Sequence, residues 1–286
     1  MKAFSIIFII SIIFNIARAQ SALDYANAGD SALVEERFLD AIDNYEKCLD
    51  LDQERKDFLT AKMLGNAYEK VEDFKSAGDA YKDALLRGSD ETALINNMKK
   101  AYEAANCQEC LVEAYHEVKR AVPELVANID RRLYSIYTNN KEWDKAADCV
   151  VSILSDENLS NDDRIKYLKY GAQIAINRDN AEEIESYYEK VLAITPDDAD
   201  IHKAMGFGLY NSIQKIIQST QNAYKAKGNA ATNHDFSMMQ TAAKRATLKY
   251  GPKVINHLKI ANKTLNDAQI TKIIAQLQQN ITAYSK

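Results

Sequence analysis

LGNAYEKVEDFKSAGDAY, residues 64–81, sets small and large side chains at regular distances along a helical stretch. Gly65 and Ala77 are the small members; Leu64, Tyr68, Phe74 and Tyr81 are the large ones. Two antiparallel helices approach closely only where one of them presents a small residue, and bulky neighbours then fill the space beside the contact. The stretch therefore reads as two helices of one hairpin meeting through Gly65 and Ala77.

The pattern recurs along the chain. With Phe58 as position 1, Leu64 falls at 7, Gly65 at 8, Tyr68 at 11, Phe74 at 17, Ala77 at 20, Tyr81 at 24 and Ala84 at 27. A unit from Ala22 repeats this with Gly29, Phe38, Ala41, Tyr45 and Cys48. One from Thr92 carries Met98, Tyr102, Tyr115 and Pro123, with Lys99 at position 8. One from Ala127 carries Leu133, Tyr137, Trp143 and Ala146, but has Tyr134 at position 8. One from Ile165 has Gly171 and Ala172, then Tyr188, Val191 and Pro196. A sixth starts at Ala199 with Met205 and Gly206 and resumes far downstream with Val254, Leu258 and Ala261. The starts are spaced by 36, 34, 35, 38 and 34 residues. With only three prolines and nine glycines, the whole chain favours helix.

This series resembles the tetratricopeptide repeat, a 34-residue helix–turn–helix unit, in the exported form found in Bacteroidetes cell envelopes. The resemblance implies an all-α, right-handed superhelical solenoid. Its five repeats would span about 22–55, 58–91, 92–125, 127–160 and 165–198, with a sixth over 199–286. That last repeat is interrupted. Residues 199–226 read as one long helix, followed by a turn at Lys227-Gly228-Asn229 and a return helix through Phe236, Met239, Ala243, Ala246 and Tyr250. Gly251-Pro252 is expected to kink or restart that helix. The apolar series Ile270, Ile273, Ile274, Leu277 and Ile281 reads as a closing helix over the last apolar face.

The N-terminus reads as an export signal. Met1-Lys2 precedes the apolar run AFSIIFIISIIFNI and then Ala17-Arg18-Ala19. A basic start, a short apolar core and small residues before the cut place cleavage after Ala19. The run is shorter than the ~20 residues of a membrane-spanning helix, so no membrane insertion is expected after cleavage. The reading is a periplasmic or secreted protein. A net charge of −5 lacks the basic footprint that nucleic acid demands.

Signals of chemistry are sparse. The histidines His116, His202, His234 and His257 are far apart in sequence and form no HExxH pair. No phosphate-cradling loop occurs, and Gly206-Phe207-Gly208 lies inside a helix with no strand before it. No nucleophile pairs with a base, so no enzyme, no cofactor and no metal site is expected. Cys107 and Cys110 form a CxxC across a turn and the start of a second helix. A turn-locking disulfide is the favoured reading, ahead of free thiols, a redox pair lacking its usual strand, or a zinc site lacking two further ligands. Cys48 and Cys149 read as buried free thiols.

In the resembled family, positions 2, 5, 9, 12 and 13 of the first helices line a groove for a peptide or helix. Here those slots hold Lys62, Asn66, Asn96, Lys100, Arg131, Lys169 and Lys203. Lysine and arginine can hold carboxylates, and asparagine can grip peptide backbone. The expected partner is therefore another protein or peptide, acidic or bound by its C-terminus. Lys62, Asn66, Asn97 and Arg132 also match four places of the family's carboxylate clamp, with Asn128 where a lysine would stand. The alternative is an assembly component acting through the 211–250 hairpin.

Overall fold

The computed structural model describes residues 20–52, 55–89 and 91–285; the expected export signal, residues 1–19, lies outside them. The described chain is helical, with no strand among those residues. The chain divides into two compact units, one ending at Ile129 and the other beginning at Asp130.

The first unit holds helical residues 20–34 (α1), α2 (Phe38–Leu51), α3 (Phe58–Lys70), α4 (Phe74–Leu86), α5 (Thr92–Ala104) and α6 (Gln108–Ala121). A 3-10 turn at Pro123–Leu125 leads into α7 (Val126–Asn139), on which the boundary between the units falls. The second unit continues with α8 (Trp143–Leu154), α9 (Asn161–Asn177), α10 (Ala181–Ile194), α11 (Ala199–Ala226), α12 (Asn233–Leu265) and α13 (Ala268–Tyr284). Within each unit helices pack mainly on their sequence neighbours. This is a stacked array of helical hairpins.

The contact read from residues 64–81 is real and repeated. A Cβ added at Gly65 would lie 2.5 Å from the Tyr81 ring, and one added at Gly29 would lie 2.5 Å from Tyr45. In the fifth hairpin the equivalent pair is Gly171 with Tyr187, at 2.4 Å, one residue ahead of the frame taken from Ile165. Each pair is separated by 16 residues. Gly78 meets Tyr102 in the same way across successive hairpins. Tyr45, Tyr81 and Tyr102 are wholly enclosed, yet none is left without a hydrogen bond. Their hydroxyls donate to Asp30 (2.7 Å), Asn66 (2.9 Å) and Asp79 (2.7 Å).

The turn inside each hairpin is equally uniform. Three residues separate α1 from α2, α3 from α4, α5 from α6, α7 from α8 and α9 from α10. The middle one is always left-handed and never glycine: Glu36, Glu72, Asn106, Lys141 and Asp179. The next amide reaches back five residues, as in Asp73 N–H to Tyr68 C=O (3.0 Å) and Cys107 N–H to Tyr102 C=O (2.9 Å). That bond closes a Schellman-type helix end.

α12 runs unbroken from Asn233 to Leu265 through Pro252, where a kink or restart was expected. Pro252 is exposed, and it removes the amide that would pair with the Leu248 carbonyl one turn back. Gly251 before it has no Cβ to clash with the proline ring, and that bare surface receives Ile281 of α13. At the base of this hairpin, Met205 and Leu209 of α11 share a core with Val254 and Leu258 of α12 and Ile270 and Leu277 of α13.

Two histidines that the sequence leaves apart meet here. His202 is buried on α11, and its ring stacks on His257 of α12 with centroids 5.1 Å apart. His202 Nε2 lies 3.0 Å from the Pro196 carbonyl, so it carries the proton and donates. His202 Nδ1 is then an acceptor, and His257 Nδ1–H must donate to it across 2.8 Å.

Gly65→Ala should destabilise the chain by about 1–3 kcal/mol, because the Tyr81 ring has nowhere to go; Tyr81→Phe should cost about 1 kcal/mol for its lost hydrogen bond; urea unfolding measures both. Burial, and then the facing His202, lower the pKa of His257, so the unfolded chain binds its proton more readily. Stability should be full above the ordinary histidine value of about 6.5 and fall as pH drops from there toward the lowered native value. Thermal melts from pH 8 to pH 5 check this, and His257→Gln should flatten the profile.

Candidate binding surfaces

In the first unit the residues read as groove slots, Lys62, Asn66, Asn96, Asn97 and Lys100, lie on α3 and α5. A cleft of about 430 Å³ lies over Leu33, Val34, Phe38, Asn66, Glu69 and Lys70. A second, of about 370 Å³, shares Glu69 and Lys70 and adds Phe74, Lys100, Ala101 and Ala104. Both are lined by apolar and charged side chains together. Leu23, Val34 and Leu59 of this unit are 55%, 85% and 59% exposed.

The cations of this unit are less available than the sequence suggests. Lys62 Nζ is 2.7 Å from Glu91 Oε2. Asn66 accepts from the Tyr81 hydroxyl, and its amide faces Met63 Sδ at 3.6 Å. Asn66 therefore satisfies a buried phenol, as Asp30 does one hairpin earlier. Asn96 and Lys100 are exposed, and Asn97 is half-buried.

The second unit carries a different surface, on α7 and α9. Tyr134 stacks on Tyr170 with centroids 5.1 Å apart and planes 13° from parallel. Tyr167 meets Tyr170 edge-on at 5.6 Å. The Arg131 guanidinium sits 5.9 Å above the Tyr167 ring, and Lys166 lies 5.6 Å from Tyr167 and 6.0 Å from Tyr170. Burial, then the two neighbouring phenols, push Tyr134 above the ordinary tyrosine pKa, so it remains a neutral donor. Arg131 and Lys169 are exposed, whereas Arg132 is half-buried and already engaged within the chain. Lys203 is tied to Asp267 at 3.0 Å, and that partner holds the Asp267 carboxyl below its usual range.

The structure thus brings Arg131 beside three tyrosines and Lys166, which the sequence did not single out. The available signal was Tyr134 at position 8: a ring where glycine stands elsewhere has to find room outside its own hairpin. Repeating glycine–tyrosine contacts and identical three-residue turns decide the class. The chain is similar to tetratricopeptide repeat proteins.

No family model matches the chain, and no curated protein does. Among solved structures it is similar to a TPR repeats protein from Bacteroides fragilis, with 18% identity over 90% of this chain and 98% of that one, at a TM-score of 0.37. It is also similar to the C-terminal part of a TPR repeat-containing protein from Cytophaga hutchinsonii (13%, 90% and 93%, TM-score 0.39). A tetratricopeptide repeat protein from Parabacteroides merdae gives 14%, 91% and 99%, with a TM-score of 0.34.

Cys107 and Cys110 are joined by a disulfide with their Cα atoms 5.3 Å apart, while Cys48 and Cys149 are buried and unbridged. Among the described residues no group of three or more His, Cys, Asp or Glu side chains could hold a metal ion, and no helix is long and apolar enough to cross a membrane.

Proposed function

We propose that this chain is an exported interaction scaffold that holds a segment of another protein against the first helices of its hairpins. The observation that carries the reading is the surface of the half-buried Tyr134 and Tyr170, backed by the buried Tyr167 and flanked by Arg131 and Lys166. Tyrosine and arginine supply large, rigid contact area at low entropic cost and are the residues that dominate interface energetics. Cations that keep their charge against aromatic faces can pair with carboxylates arriving from outside. The ligand this surface fits is an acidic segment carrying aromatic or aliphatic side chains. Lys62, Asn66 and Lys203 contribute less, because each already serves a partner inside the fold. Lys100 and Asn96 belong to the separate mixed clefts of the first unit, which favour an amphipathic rather than a purely acidic segment. The export part rests on the N-terminal segment and is supported by a disulfide, which persists in oxidising compartments.

A second reading has its own support. Between Ile213 and Ala243 no described residue is buried, and Phe236 and Met238 near the hairpin tip are 43% and 59% exposed. The outer half of the α11–α12 hairpin is covered only by itself, which suits an arm used in assembly.

The two readings separate by mutation. Partners captured by crosslinking in native envelopes should be lost with Arg131→Glu, Lys166→Glu and Lys169→Glu combined, and retained when residues 218–240 are replaced by a short turn. The opposite pattern would make the hairpin the working surface and sink the first reading.

A further inference from the structure

The bond between Cys107 and Cys110 joins no two elements. It spans two intervening residues within the first turn of α6, a turn that the helix's own hydrogen bonds already form. What sets it apart is where Cys107 stands. It is the N-cap of α6, with the Cys110 amide N–H directed at its sulfur across 3.3 Å. The same slot recurs in other hairpins after the same left-handed turn residue. Asp73 caps α4 by accepting from Ser76 N–H at 3.1 Å, and Asn180 caps α10 by accepting from Glu183 N–H at 3.2 Å. In each of these hairpins the slot thus sets one backbone N–H of the helix's first turn on a side-chain acceptor. A thiolate on Cys107 would receive the same amide and the same helix N-terminus, the setting that makes a cysteine acidic and exchange-competent. Both cysteines are partly exposed, and Gln108 and Glu109 between them are exposed, so an external thiol has access. Glu109, in that first turn, opposes the negative charge.

We propose that Cys107–Cys110 is a thiol–disulfide exchange site, with Cys107 as the sulfur that forms the mixed disulfide with a dithiol partner. A thiolate of the dithiol attacks Cys107 Sγ, the bond to Cys110 breaks, and Cys110 leaves as a thiolate that takes up a proton. The partner's second thiolate then attacks its own sulfur in the mixed disulfide. This expels Cys107 as the thiolate held by the Cys110 amide. Two electrons pass to the chain, and the partner leaves as a disulfide. Run backwards, the same steps oxidise the chain and reduce a partner disulfide.

The test uses the purified protein and its single variants. In Cys110→Ser, alkylation of Cys107 should show a pH midpoint at least about one unit below the ~8.5 of a free cysteine, and Glu109→Gln added to that variant should lower it further. With oxidised glutathione, Cys110→Ser should build up mixed disulfide at least about ten-fold faster at pH 7 than Cys107→Ser, as read by mass spectrometry. Reduced wild-type chain should keep its circular dichroism. A Cys107 midpoint at or above the free-cysteine value, or equal reaction of the two single variants, would overturn the assignment. Loss of helix on reduction would overturn it too, because the bond would then be a structural staple.

Discussion

A tyrosine ring lying where a glycine's Cβ would be is the contact on which the rest of this molecule depends. Gly29 against Tyr45, Gly65 against Tyr81 and Gly171 against Tyr187 set how closely each pair of helices can lie. Enclosing a phenol also obliges the chain to satisfy its hydroxyl, since an unpaired buried polar group costs roughly 1–3 kcal/mol. Asp30, Asn66 and Asp79 meet that demand. Part of the polar character of the first helices thus belongs to the interior, and what is free to meet a ligand is the remainder.

The same subtraction applies to charge. The chain is acidic overall, and several of its cations are held by carboxylates of neighbouring helices: Lys62 by Glu91, Lys82 by Glu117, Arg87 by Asp52 and Lys203 by Asp267. Lys249 and Lys253 fasten α12 to Glu182 and Glu185 of α10. The exposed pairs contribute little stability individually, whereas Arg87 and Asp52 are largely enclosed; all of them remove cations from the outward-facing set. Arg131 and Lys166 differ because they rest on rings, which neutralise nothing.

How much of this was legible varied with the physics of each signal. The hairpin class was, because small-against-large spacing is written directly in residues such as Gly65 and Tyr81. The long α11 and the closing α13 were visible through their apolar periodicity. The Glu91 and Asp267 partners were not, because an ion pair between separate helices leaves no local mark. Tyr134 registered only as an irregular residue, since stacking on Tyr170 depends on which helix lies beside it. The continuous α12 escaped because Gly251-Pro252 signals a break wherever packing is unknown. The five left-handed turn residues escaped for a similar reason: glycine normally announces that conformation, and here Glu36, Glu72, Asn106, Lys141 and Asp179 adopt it.

Those turns bear on how the chain can change length. Within the first five hairpins the linker is fixed at three residues, and one more would swing a packing tyrosine such as Tyr81 away from its glycine. From one hairpin to the next the connections differ, with six positions between Leu154 and Asn161 but four between Ile194 and Ala199. The uneven repeat period is absorbed in those joints. A peptide tag spliced into the Leu154–Asn161 joint would be accommodated there, whereas the same graft between Asn177 and Ala181 would derail the helices on either side.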